Sequence, residues 1–166
     1  LVVDGAKPNR AHLRLAELER EGKLRAVVTQ NIDGLHQAAG SKNVLELHGS
    51  ILRAYCTRCH APYPAEAMNH CRGVPRCDRC GGIVRPDIVL YEEPLDQRLM
   101  ERALEYIRDA EVLIIGGTSL VVYPAAGLIQ YYRGHKLAVI NKGGAGSGLG
   151  AAVTIDGPIG QVMAQL

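Results

Sequence analysis

Long apolar runs are absent from this 166-residue chain, and none approaches the roughly 20 residues needed to cross a bilayer. No segment has the composition of a signal peptide. An excess of one charge is also absent, because 19 Lys and Arg are balanced by 17 Asp and Glu. The resulting net charge of +2 gives no electrostatic reason to expect nucleic acid or a membrane as a partner. The GxGxxG fingerprint is missing too, so no ordinary dinucleotide-binding assignment follows from a motif.

Two CxxC pairs, Cys56-Thr-Arg-Cys59 and Cys77-Asp-Arg-Cys80, stand 17 residues apart. Four thiolates at this spacing are typical of a closed, structural zinc site. The alternatives are two disulfides, or cysteines buried as small apolar residues. Cys71, the fifth cysteine, is interpreted as a spare thiol rather than a ligand. Thiols arranged for a metal suit a reducing compartment, so we expect a cytoplasmic protein.

Helical patterns alternate with short β-branched runs along the chain. In the first predicted helix Ala11, Leu15 and Leu18 share one face, and Gly22 ends it. Asp96 is predicted to cap a second helix and Pro124 to begin a third. The final residues, 159–166, have an amphipathic pattern. Strands are predicted at 24–29, 44–47, 88–91, 112–115, 137–140 and 153–155.

Helices between apolar strands predict an α/β fold, a doubly wound parallel sheet covered on both faces. We expect a Rossmann-like domain formed by residues 1–52 and 85–166. A small zinc module of residues 53–84 is inserted into it. Between residues 143 and 150, five glycines in eight residues predict a flexible loop.

Polar residues gather where three of these strands end, and this is where open α/β sheets bind ligands. Small hydroxyls beside glycines allow a phosphate or ribose to approach the backbone, and amides suit ribose hydroxyls. Each turn alone could be an ordinary loop, but three at successive strand ends favour a nucleotide. The residues are Gln30, Asn31 and Asp33, then Thr118 and Ser119, then Asn141 and Lys142.

His48 also follows a predicted strand, directly before Gly49. Because a histidine titrates near working pH, it could serve as a general base. The alternative is a structural role, which is commoner for a lone histidine.

Taken in order, these motifs resemble the sirtuins, a family of NAD-dependent protein deacylases, and the similarity to the bacterial members runs from end to end. The motifs are Thr29-Gln-Asn-Ile-Asp-Gly-Leu-His36, Glu46-Leu-His-Gly-Ser50, the two CxxC pairs, Gly116-Gly-Thr-Ser-Leu120 with Val121-Val-Tyr-Pro124, and Ile140-Asn-Lys-Gly143.

The resemblance implies an enzyme that transfers the acetyl group from lysine to ADP-ribose and releases nicotinamide. Its cofactors are NAD and zinc, and its partners are acetylated-lysine proteins or peptides. By motif, His48 is the base, and Gln30 and Asn31 position the ribose and water. Ile32 and Asp33 line the nicotinamide pocket. Further implied contacts are Gly117, Thr118 and Ser119 with ribose and phosphates, Asn141 and Lys142 with the adenosine ribose, Val89 with substrate, and Cys56, Cys59, Cys77 and Cys80 with zinc.

Three departures from the family pattern qualify this reading. No GAGxS phosphate loop precedes Leu1, so we expect a fragment of a longer protein; a chain completed by a partner, or a natural remnant, are minor alternatives. Glu92 stands where many members have glycine, which is expected to change peptide binding. Asn141-Lys-Gly-Gly144 lacks the Glu, Ser or Ala that often follows the lysine. The alternative function is an inactive module that binds ADP-ribose or acyl-peptide.

Overall fold

The computed structural model describes residues 5–69, 73–119, 121–143 and 149–166. Cys71 and most of the predicted glycine loop lie outside these residues. The chain divides into two compact units, each described here by itself. The first unit contains Thr29–Gly34 and Glu46–Leu95, and the second contains Lys7–Val28, Leu35–Leu45 and Asp96–Leu166. The predicted domain boundaries, which follow the zinc module, stay a prediction.

The second unit holds a parallel sheet in the order β6-β7-β8. Its strands are β6 (Val112–Gly116), β7 (Lys136–Asn141) and β8 (Val153–Asp156). Its helices are α1 (Arg10–Arg20), α2 (Leu35–Ala38), α4 (Gln97–Arg108), a 3-10 helix (Ala125–Tyr131) and α5 (Ile159–Met163).

Helices pack on both faces of this sheet. On one face Val139 is buried beside Ile129, which belongs to the 3-10 helix, and Tyr132, which directly follows that helix. On the other face Ile140 packs against Ala11 of α1 and Met163 of α5. Because neighbouring residues of a strand point to opposite faces, both layers of this core come from one apolar run. The predicted Rossmann-like fold class is confirmed.

The first unit is built on an antiparallel sheet in the order β4-β3-β5. The strands are β3 (Gly49–Cys56), β4 (Pro62–Pro64) and β5 (Val84–Ile88), and a short helix α3 (Glu66–Asn69) follows β4. Ala54, Cys56 and Val84 are buried in its small core. The first unit therefore places both CxxC pairs beside one sheet.

Two short strands, β1 (Val27–Thr29) and β2 (Val44–Glu46), pair as a separate two-stranded sheet. Within the first unit, the Leu47 N–H donates to the Thr29 carbonyl at 2.9 Å. This bond fixes the residues directly before His48 beside the end of β1.

Among the described helices, none is long and apolar enough to cross a membrane.

Three element predictions need correction. The strand predicted at 88–91 is wrong in its bounds, because β5 ends at Ile88 and a turn follows with Glu92 at φ +69°. The predicted helix at 124–134 is a shorter 3-10 helix. Val112 and Ile114, predicted to be covered, are 50% and 37% exposed.

Candidate functional site

His48 follows β2 and is half-buried, with its ring held by the turn that follows β1. Its Nδ1 lies 3.0 Å from the carbonyl oxygen of Gln30. A carbonyl oxygen can only accept, so Nδ1 carries the proton and donates it to Gln30. The other ring nitrogen, Nε2, is thereby left as the basic atom of the neutral imidazole. This is the arrangement that a general base requires.

The first unit gathers the other predicted residues of this set around the same strands. The Ile51 N–H donates to the Ile32 carbonyl at 3.0 Å, which ties the turn containing Asn31 and Asp33 to β3. The Val89 N–H donates to the His48 carbonyl, also at 3.0 Å. Main-chain hydrogen bonds thus connect the turn of residues 30–34 to β3, and the candidate base His48 to the candidate substrate residue Val89.

Gly49 has a left-handed backbone, with φ +76°. A side chain here would collide with the carbonyl oxygen of Asp87 on β5. Glycine is therefore required both by the backbone conformation and by the close approach of the two strands. This close approach places His48 directly beside the antiparallel pairing of β3 with β5, where Gly49 lies opposite Ile88.

An ion pair supports the β3–β5 pairing beside the site. Arg53 donates to the buried Glu46 at 2.8 Å through Nη1 and to Asp87 at 2.9 Å through Nε. Glu46 is only 9% exposed, so this partner is needed to compensate for the burial of its carboxylate. Arg53 therefore links Glu46, at the end of β2, to Asp87, which lies opposite Ser50 on β5.

The four predicted zinc ligands lie together in the first unit, with all four sulfur atoms within 4.8 Å of one another. The Sγ atoms of Cys56 and Cys80 are 3.5 Å apart, and those of Cys59 and Cys77 are 3.6 Å apart. A disulfide would bring two sulfurs to about 2.0 Å. Zinc–sulfur bonds of about 2.3 Å in a tetrahedron place the sulfurs about 3.8 Å apart. The cluster fits zinc, and the disulfide alternative is wrong.

Hydrogen bonds to the sulfurs prepare two of the cysteines for metal binding. The Tyr63 hydroxyl, 3.2 Å from the Cys77 sulfur, lowers the pKa of Cys77 to about 6. The backbone N–H of Cys59 lowers the pKa of Cys56. For Cys80, the N–H of Gly82 lowers the pKa, but burial and the neighbouring thiols raise it to about 12 overall. A divalent cation would remove this mutual repulsion and deprotonate the whole set.

The turn after β5 is closed by a second ion pair, between Arg85 and Glu93. Arg85 donates to Glu93 at 3.0 Å and to the Ile88 carbonyl at 2.9 Å, while the Leu90 N–H donates to Glu93. The Arg85 guanidinium, and then the Leu90 N–H, lower the pKa of Glu93 to about 2. Tyr91 is fully exposed at the tip. These contacts give a definite shape to the segment that begins with Val89.

Acid is expected to weaken this turn in a defined range of pH. Because the pKa of Glu93 is about 2 when folded and about 4.5 otherwise, its stabilisation is complete above pH 4.5. It is lost as the pH falls from 4.5 to 2. The midpoints of urea unfolding of the wild type and Glu93→Gln should therefore differ at pH 7 and converge towards pH 3. Glu92→Gln, which removes the adjacent charge, is the control. A difference between the urea midpoints of the wild type and Glu93→Gln that stays the same from pH 7 to pH 3 would contradict the prediction.

The second unit contains the other candidate cofactor residues. The Asn141 side chain donates to the Thr118 carbonyl, and the Gly117 N–H donates to the Ile140 carbonyl at 3.1 Å. The ends of β6 and β7 are thereby joined, as predicted for a ligand edge of a parallel sheet. Ser119 lies in the same loop after β6.

A cleft of about 450 Å³ opens beside this edge within the second unit. Its volume is in the range of small-molecule sites. The sequence predicted Gly117, Asn141 and Lys142 as ligand-binding residues but did not predict Arg10. A charged residue at the start of a helix is usually exposed to solvent, so nothing in the sequence marks this one as lining a cleft. The lining residues are Asn9, Arg10, Gly117, Asn141, Lys142, Gly157, Pro158, Ile159, Gly160 and Gln161.

Comparison with known proteins identifies close relatives. The NAD-dependent protein deacetylase of Clostridium perfringens (strain 13 / Type A) is 56% identical over 167 residues, which cover 100% of this chain and 68% of that protein. That of Clostridium acetobutylicum is 53% identical over 164 residues, covering 98% of this chain and 67% of the relative. The chain thus spans about two thirds of the length of these relatives.

Solved structures of Sir2 proteins are also similar to this chain. A Sir2–p53 peptide–NAD+ complex has a TM-score of 0.90 and 41% identity, covering 96% of this chain and 69% of that one. A Sir2 homologue–NAD complex has a TM-score of 0.90 and 39% identity, covering 97% and 64%. The profile of the Sir2 family matches residues 1–124. This chain therefore belongs to the Sir2 family.

Proposed function

We propose that this chain acts as an NAD-dependent protein-lysine deacetylase, which transfers the acetyl group of acetyl-lysine to ADP-ribose and releases nicotinamide. Relatives with this named activity align with the whole chain or nearly all of it. The observation that carries the proposal is the state of His48. Its Nδ1 proton is held by the Gln30 carbonyl at 3.0 Å, which leaves Nε2 ready to accept a proton.

NAD would supply an electrophilic ribose carbon, to which the carbonyl oxygen of acetyl-lysine bonds as the bond to nicotinamide breaks. In the second unit, Asn141 and Lys142 hold the adenosine ribose, and the loop of Gly117, Thr118 and Ser119 receives the phosphates. The glycine backbone and the amide of Asn141 fit these groups, because neither excludes a ligand by bulk. Holding the cofactor in this way fixes its reactive end and lowers the entropic cost of reaction.

Residues of the first unit supply the proton chemistry. Gln30 and Asn31 orient the nicotinamide ribose and water, and Ile32 and Asp33 line the space for the nicotinamide ring. His48 would accept on Nε2 the proton of a ribose hydroxyl, so that this oxygen could bond to the acetyl carbon while the lysine amine is released. The contact of Nδ1 with the Gln30 carbonyl leaves Nε2 as the nitrogen that can accept this proton.

The acetyl-lysine substrate is a peptide segment of a protein. It adds along the edge strand β5 and the residues from Val89 that continue it, where main-chain hydrogen bonds give affinity for an extended chain. A solved relative at a TM-score of 0.90 is a Sir2 bound to acetylated peptide. The four cysteines bind a structural zinc ion, which stabilises the first unit and does not take part in the deacetylation reaction. Four cysteines grouped for a metal rather than paired as disulfides support a cytoplasmic location, which is part of the proposal.

The test is nicotinamide release from NAD by the zinc-loaded, full-length protein, with an acetyl-lysine peptide or the same peptide unacetylated. Release that depends on the acetyl group, together with formation of acetylated ADP-ribose, is the expected result. Binding of ADP-ribose without any release would favour the inactive binding module instead. Release at equal rates with both peptides would indicate a hydrolase of NAD and would overturn the proposal.

A further inference from the structure

Two cations face the cleft of the second unit, Arg10 from the start of α1 and Lys142 after β7. The residues known to line this cleft include no carboxylate within the described part of the chain. Neither cation forms an ion pair with any described residue, unlike Arg14, which pairs with Glu17. Both are exposed, so their charges are available to a ligand.

Charge beside the adenosine ribose decides which dinucleotide an α/β fold prefers. An Asp or Glu accepts hydrogen bonds from the ribose 2′-hydroxyl and repels a phosphate there, whereas a nearby Arg accommodates a 2′-phosphate. In this chain the residue at the end of β7 is the neutral Asn141, and the next residue is a cation. Neither of these two residues is an acid, so neither would repel a phosphate on the ribose.

One carboxylate does lie close to this edge of the sheet. Asp156 stands opposite Asn141 in the pairing of β7 with β8. It accepts a hydrogen bond from the Gly143 N–H at 2.9 Å, so one of its oxygens is committed to the turn after β7. It does not line the cleft. Two cations against this one anion leave the surroundings of the cleft positive.

We propose that this cleft accepts an adenosine ribose carrying a 2′-phosphate, so that the protein binds 2′-phosphorylated dinucleotides as well as NAD. The proposal rests on the proposed function, since it takes the cleft as the place of the adenosine half. Arg10 is the residue that distinguishes the two ligands, because its planar guanidinium can make two hydrogen bonds to a phosphate. Lys142 contributes a second positive charge.

The test compares the dissociation constants of ADP-ribose and 2′-phospho-ADP-ribose for the zinc-loaded, full-length protein by calorimetry. We expect the two constants to agree within about tenfold in the wild type. Arg10→Gln should weaken the phosphorylated ligand about 5- to 10-fold more than ADP-ribose. Lys142→Gln should change the ratio in the same direction. Binding of ADP-ribose by each variant shows that it has folded.

Lys136→Gln is the matched control, because Lys136 lies at the opposite end of β7 and pairs with Glu111. It should leave the ratio unchanged. Equal weakening of both ligands by Arg10→Gln would assign the cation to the shared pyrophosphate and overturn the proposal. Binding of ADP-ribose with 2′-phospho-ADP-ribose at least about 100-fold weaker would overturn this proposal alone. Failure of both ligands to bind would overturn the proposed function with it.

Discussion

His48→Ala is expected to lower the rate of peptide-dependent nicotinamide release and acetyl transfer by about 10²- to 10⁴-fold, the usual contribution of a general base. The reason is the single basic nitrogen that remains when the Gln30 carbonyl holds the proton on Nδ1 at 3.0 Å. NAD should still bind, because the residues proposed to hold its adenosine half lie in the second unit. Steady-state rates and the dissociation constant of NAD, measured on the same zinc-loaded samples, check both parts.

His135→Ala serves as the matched control for this experiment. His135 is exposed in the second unit, outside every candidate site, so its replacement should leave the rate within about twofold. Near-wild-type turnover by His48→Ala would remove this residue from the role of base.

Cys77→Ser is expected to release zinc and to destabilise the protein by about 3 to 5 kcal/mol, as the loss of a structural metal does. Four sulfurs within 4.8 Å of one another need a cation between them when they are deprotonated. Cys77 is 4% exposed, so serine would also bury a hydroxyl in the small core of the first unit. Zinc content by mass spectrometry and the midpoint of thermal unfolding are the measurements.

Cys71→Ser is the matched control, because it makes the same chemical change at the fifth cysteine, which the sequence predicts to be a spare thiol. It should keep one zinc per chain and the wild-type unfolding temperature. If Cys77→Ser also kept one zinc and its full stability, the four-cysteine assignment would be wrong. Loss of zinc from both variants would instead implicate Cys71 in binding.

Local signals in the sequence were enough to predict several elements. The spacing of Ala11, Leu15 and Leu18 predicted α1, since an apolar stripe at helical spacing has one way to be buried. Asp96 was predicted to cap α4, and its side chain accepts from the Leu99 N–H at 2.9 Å. The CxxC spacing predicted the metal cluster, because two tight turns at that distance leave few alternatives.

Features that depend on distant parts of the chain were not predictable in this way. The antiparallel sheet β4-β3-β5 has short strands interrupted by Pro and Cys, so no alternation of period two marks it. β5 carries two charged residues and so has no apolar pattern: the ion pair of Asp87 with Arg53 stabilises the pairing with β3, and that of Arg85 with Glu93 closes the turn after β5. Arg10 faces the cleft because α1 packs beside the end of β7. No local sequence motif predicts this packing.

Gly49 has a practical consequence for engineering this protein. A library that randomises the residue after His48 would return active clones almost only with glycine, because any Cβ meets the Asp87 carbonyl. Inactive clones would then report a displaced strand rather than altered chemistry. Efforts to change which peptides bind beside Val89 should leave this position untouched and diversify Leu90 and Tyr91, whose side chains are 52% and 100% exposed.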